Sequence, residues 1–158
     1  MKKSLILSLS LALLLSACKK DHDDASNAAN TWNFKGTTYT AATVMYVNGG
    51  SASNLSAGAT GATATSADGL TFAFVTPPTS SGQMLITDSG DPNTVMVSTS
   101  NLSGTNTTFY LNEETNVMAN VTINNGKISV SFPGTIWLHN LSNSSDSAQL
   151  SVGTITQQ

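Results

Sequence analysis

The residues best placed to do chemistry at a surface stand in Ile136-Trp137-Leu138-His139. Strand alternation puts Ile136 and Leu138 on one face and Trp137 and His139 on the other. If the aliphatic pair is inside, an indole and an imidazole lie together in solvent and can stack on a sugar ring, with Tyr110, Tyr39 or Tyr46 as companions. If both faces are covered, Trp137 is a core residue instead.

Other constellations carry less. His139 is the only histidine after residue 30, and there is no Gly-x-Ser-x-Gly elbow, His-Glu-x-x-His zinc helix or phosphate loop. General acid–base chemistry therefore has few participants, and the chain is not expected to be an enzyme. A small hydrolase using His139 through a scattered triad is the catalytic alternative. Glu113-Glu114 pairs two carboxylates, but the setting Asn112-Glu113-Glu114-Thr115-Asn116 reads as a solvated turn. Asp88-Ser89-Gly90-Asp91-Pro92-Asn93 offers oxygen ligands without calcium-loop spacing, and its residue types are those of a plain turn. No metal and no cofactor are expected, apart from covalent lipid.

That lipid is argued from the other end of the chain. Met1-Lys2-Lys3, a leucine-rich run from Leu5 to Leu15, then Ser16-Ala17-Cys18 follow the charged, apolar, small-residue order of a secretory signal. Eleven residues at about 1.5 Å each cover about half of a hydrocarbon core roughly 30 Å thick, so a permanent spanning helix is disfavoured. Leu15-Ser16-Ala17-Cys18 resembles the lipobox of bacterial lipoproteins, and the resemblance implies that Cys18 is lipidated and becomes the first residue after cleavage. Cys18 is the sole cysteine, so no internal disulfide can form. The segment Lys19-Lys20-Asp21-His22-Asp23-Asp24 and the small polar residues up to Asn30 read as a solvated tether. Its lysine-then-acid order resembles the surface-export signal of Bacteroidota lipoproteins, with His22 interrupting the acidic run. That implies the outer membrane and the cell surface, the periplasmic leaflet being the alternative. Asp146-Ser147-Ala148 resembles the short O-glycosylation pattern of exported Bacteroidota proteins, which makes Ser147 a candidate site. The competing reading is a plain loop at Asn143 to Ser147.

The elements that must position these residues are strands. From Thr31 to Gln158 the chain has two lysines, no arginine and six acids, a net charge of −4, so nucleic acid is excluded as a partner. Ser, Thr and Asn dominate the polar residues, and they favour sheet and turn over helix. Val117–Ile123 and Ile128–Phe132 flank Asn125-Gly126, the preferred two-residue hairpin turn. That turn pairs Ile123 with Ile128, Val121 with Val130 and Ala119 with Phe132, and sets Thr122 against Ser129 and Asn120 against Ser131. Lys35-Gly36 is a second candidate turn, between Trp32–Phe34 and Thr37–Tyr39. Further strands are expected at Leu70–Thr76, ended by Pro77-Pro78, and at Gln83–Thr87, Thr94–Ser100, Thr107–Asn112, Thr135–Leu141 and Gln149–Thr156. The small-residue stretch from Gly49 to Gly69 is read as a strand around Ser53 to Thr65, at an edge, in preference to a disordered insertion.

These expectations describe a signal peptide (1–17), a lipidated Cys18 with a tether (18–30), and one all-β domain (31–158). Its architecture is an antiparallel β-sandwich, with a β-barrel as the alternative. The layout of the tether, Trp32-Asn33-Phe34-Lys35-Gly36, Pro77-Pro78 and Gly126-Lys127-Ile128 is similar to small Bacteroidota lipoproteins of unknown function, a resemblance that brings no activity with it. The expected function is a non-catalytic envelope lipoprotein, attached to the membrane by lipid, whose domain binds a glycan or a protein. A structural component assembling through sheet edges is the alternative.

Overall fold

Alternating apolar and polar residues, punctuated by turns, resolve into twelve strands. They are β1 (Thr31–Phe34), β2 (Thr37–Asn48), β3 (Ser53–Ala59), β4 (Ser66–Phe74), β5 (Gly82–Ile86), β6 (Thr94–Ser103), β7 (Asn106–Asn112), β8 (Met118–Asn124), β9 (Lys127–Ser131), β10 (Thr135–Asn140), β11 (Asn143–Val152) and β12 (Ile155–Thr156). The computed structural model describes residues 29–63, 66–113 and 115–158, and no helix occurs among them. The signal segment, Cys18 and the tether up to residue 28 lie outside the described residues, as does Glu114.

Turn chemistry sets the local pairing. Asn125 and Gly126 have φ of 51° and 76°, the doubly positive geometry of a type I′ turn, and they join β8 to β9. Ile123 then faces Ile128, Val121 faces Val130, Thr122 faces Ser129 and Asn120 faces Ser131, as the pattern requires. The ladder stops there, so Ala119 and Phe132 are both buried without being ladder partners. Lys35 and Gly36 repeat the geometry, with φ of 51° and 76°, between β1 and β2.

The sheet closes on itself. The ring β6-β4-β3-β2-β1-β11-β10-β7 returns to β6, an eight-strand antiparallel barrel, so of the two all-β architectures it is the barrel that forms. Eight strands leave an interior just wide enough for side chains to fill. Trp32, Leu70, Leu138 and Leu150 fill it as part of one continuous core. The strands β5, β8, β9 and β12 extend this sheet from the other end of β6, where β5 joins β6 in parallel through Leu85↔Thr94 and Ile86↔Val95. The extension comes back to β2 through the tail: Gln157 N–H donates to Ile128 O and Gln158 N–H to Val44 O. Long β2, β4 and β6 thus run through two tiers, one closed by β1, β11, β10 and β7, the other covered by the extension. Asn30 ties the entry of the chain to its end, donating its N–H to Thr154 O and accepting the Thr156 N–H on Oδ1.

Four local expectations need correction. The strand in the Gly49–Gly69 stretch exists, but β3 lies between β2 and β4 and not at an edge. Its small residues are required by close packing, since Gly58 faces Gly69 and a Cβ on Gly69 would meet Ser100 Oγ at 2.9 Å. β2 runs on to Asn48, far past Tyr39. A register shift between Ala41 and Thr43 spaces the inward residues Ala41 and Val44 three apart, which hides the strand from a period-two reading. The stretch 149–156 divides, with Gly153 and Thr154 separating β11 from β12. Asn143 to Ser147 is the start of β11 and not a loop.

Candidate functional site

β10 has its neighbours β11 on one side and β7 on the other, and the registers fix what surrounds its outer face. Ile136 and Leu138 are buried at 2% and 0% exposure, so Trp137 points outward and is 52% exposed. The aliphatic pair is therefore the inner one, and the core alternative for Trp137 does not hold. On the β11 side Trp137 faces Gln149 and His139 faces Ser147. On the β7 side His139 faces Leu111, and Leu138 faces Asn112. Glu113, one residue beyond Asn112, comes alongside Trp137 and diagonal to His139, where His139 Nε2 lies 3.2 Å from Glu113 Oε1.

A surface cleft of about 440 Å³ opens between these strands, lined by Trp137, His139, Glu113, Ser147, Thr115 and Val117 among others. It lies within the size range of small-ligand sites. Its lining joins indole and aliphatic surface to hydroxyl, imidazole and carboxylate groups. Such a cleft can take a ring with one apolar face and a rim of hydrogen-bonding groups.

The site is floored by the seam between the two tiers. β7 pairs with β6 only as far as Leu111↔Ser98, while β5 pairs with β6 at Thr94 and Val95. Between them the Val97 N–H has no strand partner, and Asn112 Oδ1 accepts it at 2.5 Å. Asn112 Nδ2 donates to Glu113 O at 2.8 Å, which holds the backbone that carries the carboxylate. Thr115 Oγ1 donates to Ile86 O at 2.8 Å, closing the other side of the seam.

The hydroxyl of Ser147 makes no hydrogen bond to His139. The imidazole Nε2 meets Glu113, and Nδ1 lies 3.5 Å from Ser144 O. Ser147 is therefore not the group that His139 engages. The Asp146-Ser147-Ala148 triplet lies on β11, with Ser147 half-buried and facing the cleft.

Tyr110 stands apart from the cleft. It points into the barrel, 6% exposed, and packs edge-on against Phe34 at 4.9 Å. Its hydroxyl donates to Asp146 Oδ2 at 2.5 Å and accepts from Lys35 Nζ at 2.6 Å. Lys35 Nζ also meets Asp146 Oδ1 at 2.8 Å, and Asn140 Nδ2 donates to Asp146 Oδ2 at 3.1 Å. This cluster clasps the β1–β2 turn, β7, β10 and β11 together. Hydrogen bonds from Lys35, then Tyr110, then Asn140 hold the Asp146 carboxyl down at about 2, and the bond to Asp146 raises Lys35 above its usual range. Tyr39 and Tyr46 are also elsewhere: Tyr39 stacks on Trp32 at 5.3 Å, and Tyr46 donates to Ser53 Oγ at 2.9 Å. None of the three tyrosines lines the cleft.

Glu113 is the site residue that sequence reasoning missed, since a pair of acids between strands looks like a turn. Only the β7–β10 pairing, between segments distant in sequence, places it. The Asp88–Asn93 segment is a turn, with Gly90 and Asn93 at positive φ and Thr94 Oγ1 donating to Asp91 O at 2.5 Å. Among the described residues no three His, Cys, Asp or Glu side chains gather as metal ligands.

No protein-family model, curated protein or solved structure matches this chain.

Proposed function

We propose that this protein is a lipid-anchored envelope protein whose barrel binds a glycan in the Trp137 cleft. The observation that carries the reading is the half-exposed indole of Trp137 forming the wall of a cleft otherwise rimmed by His139, Glu113, Ser147 and Thr115. An exposed tryptophan on a rigid strand costs apolar surface in water unless a partner covers it, and stacking on a sugar ring uses both its face and the polar rim. His139 and Ser147 stand on β10 and β11, and Thr115 is tied to Ile86 O, which lowers the ordering cost of that part of the rim. Cys18, with its lipobox resemblance, supplies the anchor on this reading, with the cell surface of the outer membrane as the site of action.

The protein contains two tryptophans, and Trp32 is buried at 1% exposure, so a change in indole fluorescence on adding ligand reports on Trp137. Titration of neutral mono- and oligosaccharides against that signal tests the binding half of the proposal. Metabolic labelling with palmitate tests the anchor: Cys18→Ser should abolish incorporation, and a labelled variant would remove it. Assembly through sheet edges finds less support, because ring closure removes the edges of eight strands and β12, at one end of the sheet, spans only Ile155 and Thr156.

A further inference from the structure

The Trp137 cleft does not end at its own rim. A second cavity of about 470 Å³ is lined by Leu85, Ser89, Asp91, Thr94 and Asn116 among others, and it shares Thr115 with the first. The two therefore adjoin at Thr115, which is tied to Ile86 O at the seam between the tiers. Their linings differ. The first offers Trp137 and Val117 as apolar surface, whereas the second is largely hydroxyl, amide and carboxylate. Each volume is of the size that a small ligand fills, so together they hold more than one ring.

Charge narrows the occupant. Among the described residues neither cavity is lined by lysine, and the carboxylates are Glu113 in the first and Asp91 in the second. The chain has no arginine, and its only lysines after residue 30 are Lys35, engaged by Asp146, and Lys127, at the β8–β9 turn. Among the described residues that line the two cavities His139 is the sole basic side chain, and it already faces Glu113. A polyanion would meet two carboxylates with no fixed positive charge to offset them.

We propose that the groove takes an extended, uncharged oligosaccharide, one ring stacked on Trp137 and the chain running over Thr115 into the Asp91 cavity. This inference rests on the reading of Trp137 as a glycan platform and adds chain length and charge class to it. In this arrangement the indole supplies the main contact area, and the second cavity supplies hydrogen bonds to the following sugars.

The test uses the purified full chain and Trp137 fluorescence, with neutral gluco-, manno- and galacto-oligosaccharides from the monosaccharide to the hexasaccharide, and oligouronates of matching length. In the cognate series, affinity should rise by about tenfold or more as the chain lengthens past the first ring, a gain of about 1.4 kcal/mol. Oligouronates should bind more weakly than neutral chains of equal length. Asn116→Phe, at an exposed position of the second cavity, should erase the length gain and leave the monosaccharide signal unchanged. Equal affinity for monosaccharide and oligosaccharide would overturn the extended groove while leaving Trp137 as a glycan site. Tighter binding of oligouronates would overturn the charge assignment. No fluorescence change with any sugar, in a chain that remains folded, would remove the glycan reading itself.

Discussion

Asn112 Oδ1 accepts the backbone N–H of Val97 at 2.5 Å, at the point where β6 has parted from β7 and has not yet met β5. Both residues are buried, at 1% and 0% exposure, so the bond is shielded from bulk water. Asn112→Ala leaves a buried donor unpaired, which costs about 2 kcal/mol. Thermal unfolding should show a midpoint lowered by several degrees, whereas exposed Asn116→Ala should leave it in place. Equal midpoints for the two variants would show that the amide does not hold the seam.

The Lys35–Tyr110–Asp146 clasp makes stability depend on acid in a defined window. The Asp146 carboxyl is held at about 2 against an ordinary 3.8, so its folded-state value is the depressed one. Its contribution is fully present above about pH 4 and is lost as the pH falls toward about 2. The difference in unfolding midpoint between wild type and Asp146→Asn should therefore be constant from neutrality down to about pH 4 and shrink below it. A difference that persists undiminished at about pH 2 would mean that the charge is not what the clasp uses. Lys35 is shifted the other way, so its share is present below its usual value of 10.5 and is lost only as the pH rises beyond it.

Trp137→Ala separates function from folding. Half of the indole is already in solvent, and its inward neighbours Ile136 and Leu138 carry the packing of β10. The substitution should change stability by less than about 1 kcal/mol, against the 3–5 kcal/mol expected for a core aromatic such as Trp32. Glycan binding should be lost, followed by calorimetry because the reporting indole is gone. A large drop in stability would make Trp137 a structural residue and weaken the binding assignment.

What the sequence made legible follows from which signals are local. The Asn125-Gly126 and Lys35-Gly36 turns, the β8–β9 register and the outward face of Trp137 need only a few adjacent residues. The continuation of β2 was hidden because one register shift breaks the alternation between Ala41 and Val44. Closure of the ring was illegible for another reason: it depends on β1–β11 and β7–β10 pairings whose partners carry no turn signal between them. The cleft shares that fate. Its His139–Glu113 contact is a diagonal across two such strands, so neither residue announces the other. Tyr110 misled in the opposite sense, because alternation allows either face and only the barrel interior decides that its ring turns inward.

Tyr110 and Ser147 provide a paired test of that partition, since one is a clasp residue and the other a wall of the cleft. Tyr110→Phe removes the hydroxyl between Lys35 and Asp146 and keeps the ring against Phe34, so it should cost about 1 kcal/mol of stability and leave sugar binding unchanged. Ser147→Tyr places a large ring at the position facing His139, inside the cleft, where it competes with any ligand for the same volume. It should abolish the ligand-induced fluorescence change with little effect on the unfolding midpoint, because Ser147 makes no hydrogen bond to His139 that would be lost. The same crowding applies to a glycan attached at Ser147, so a modified chain and an open cleft should not coexist. Intact-mass measurement of the protein from its native envelope reads the first, and the titration reads the second. A chain that is fully glycosylated at Ser147 and still binds sugar through Trp137 would show that the ligand lies elsewhere on the indole.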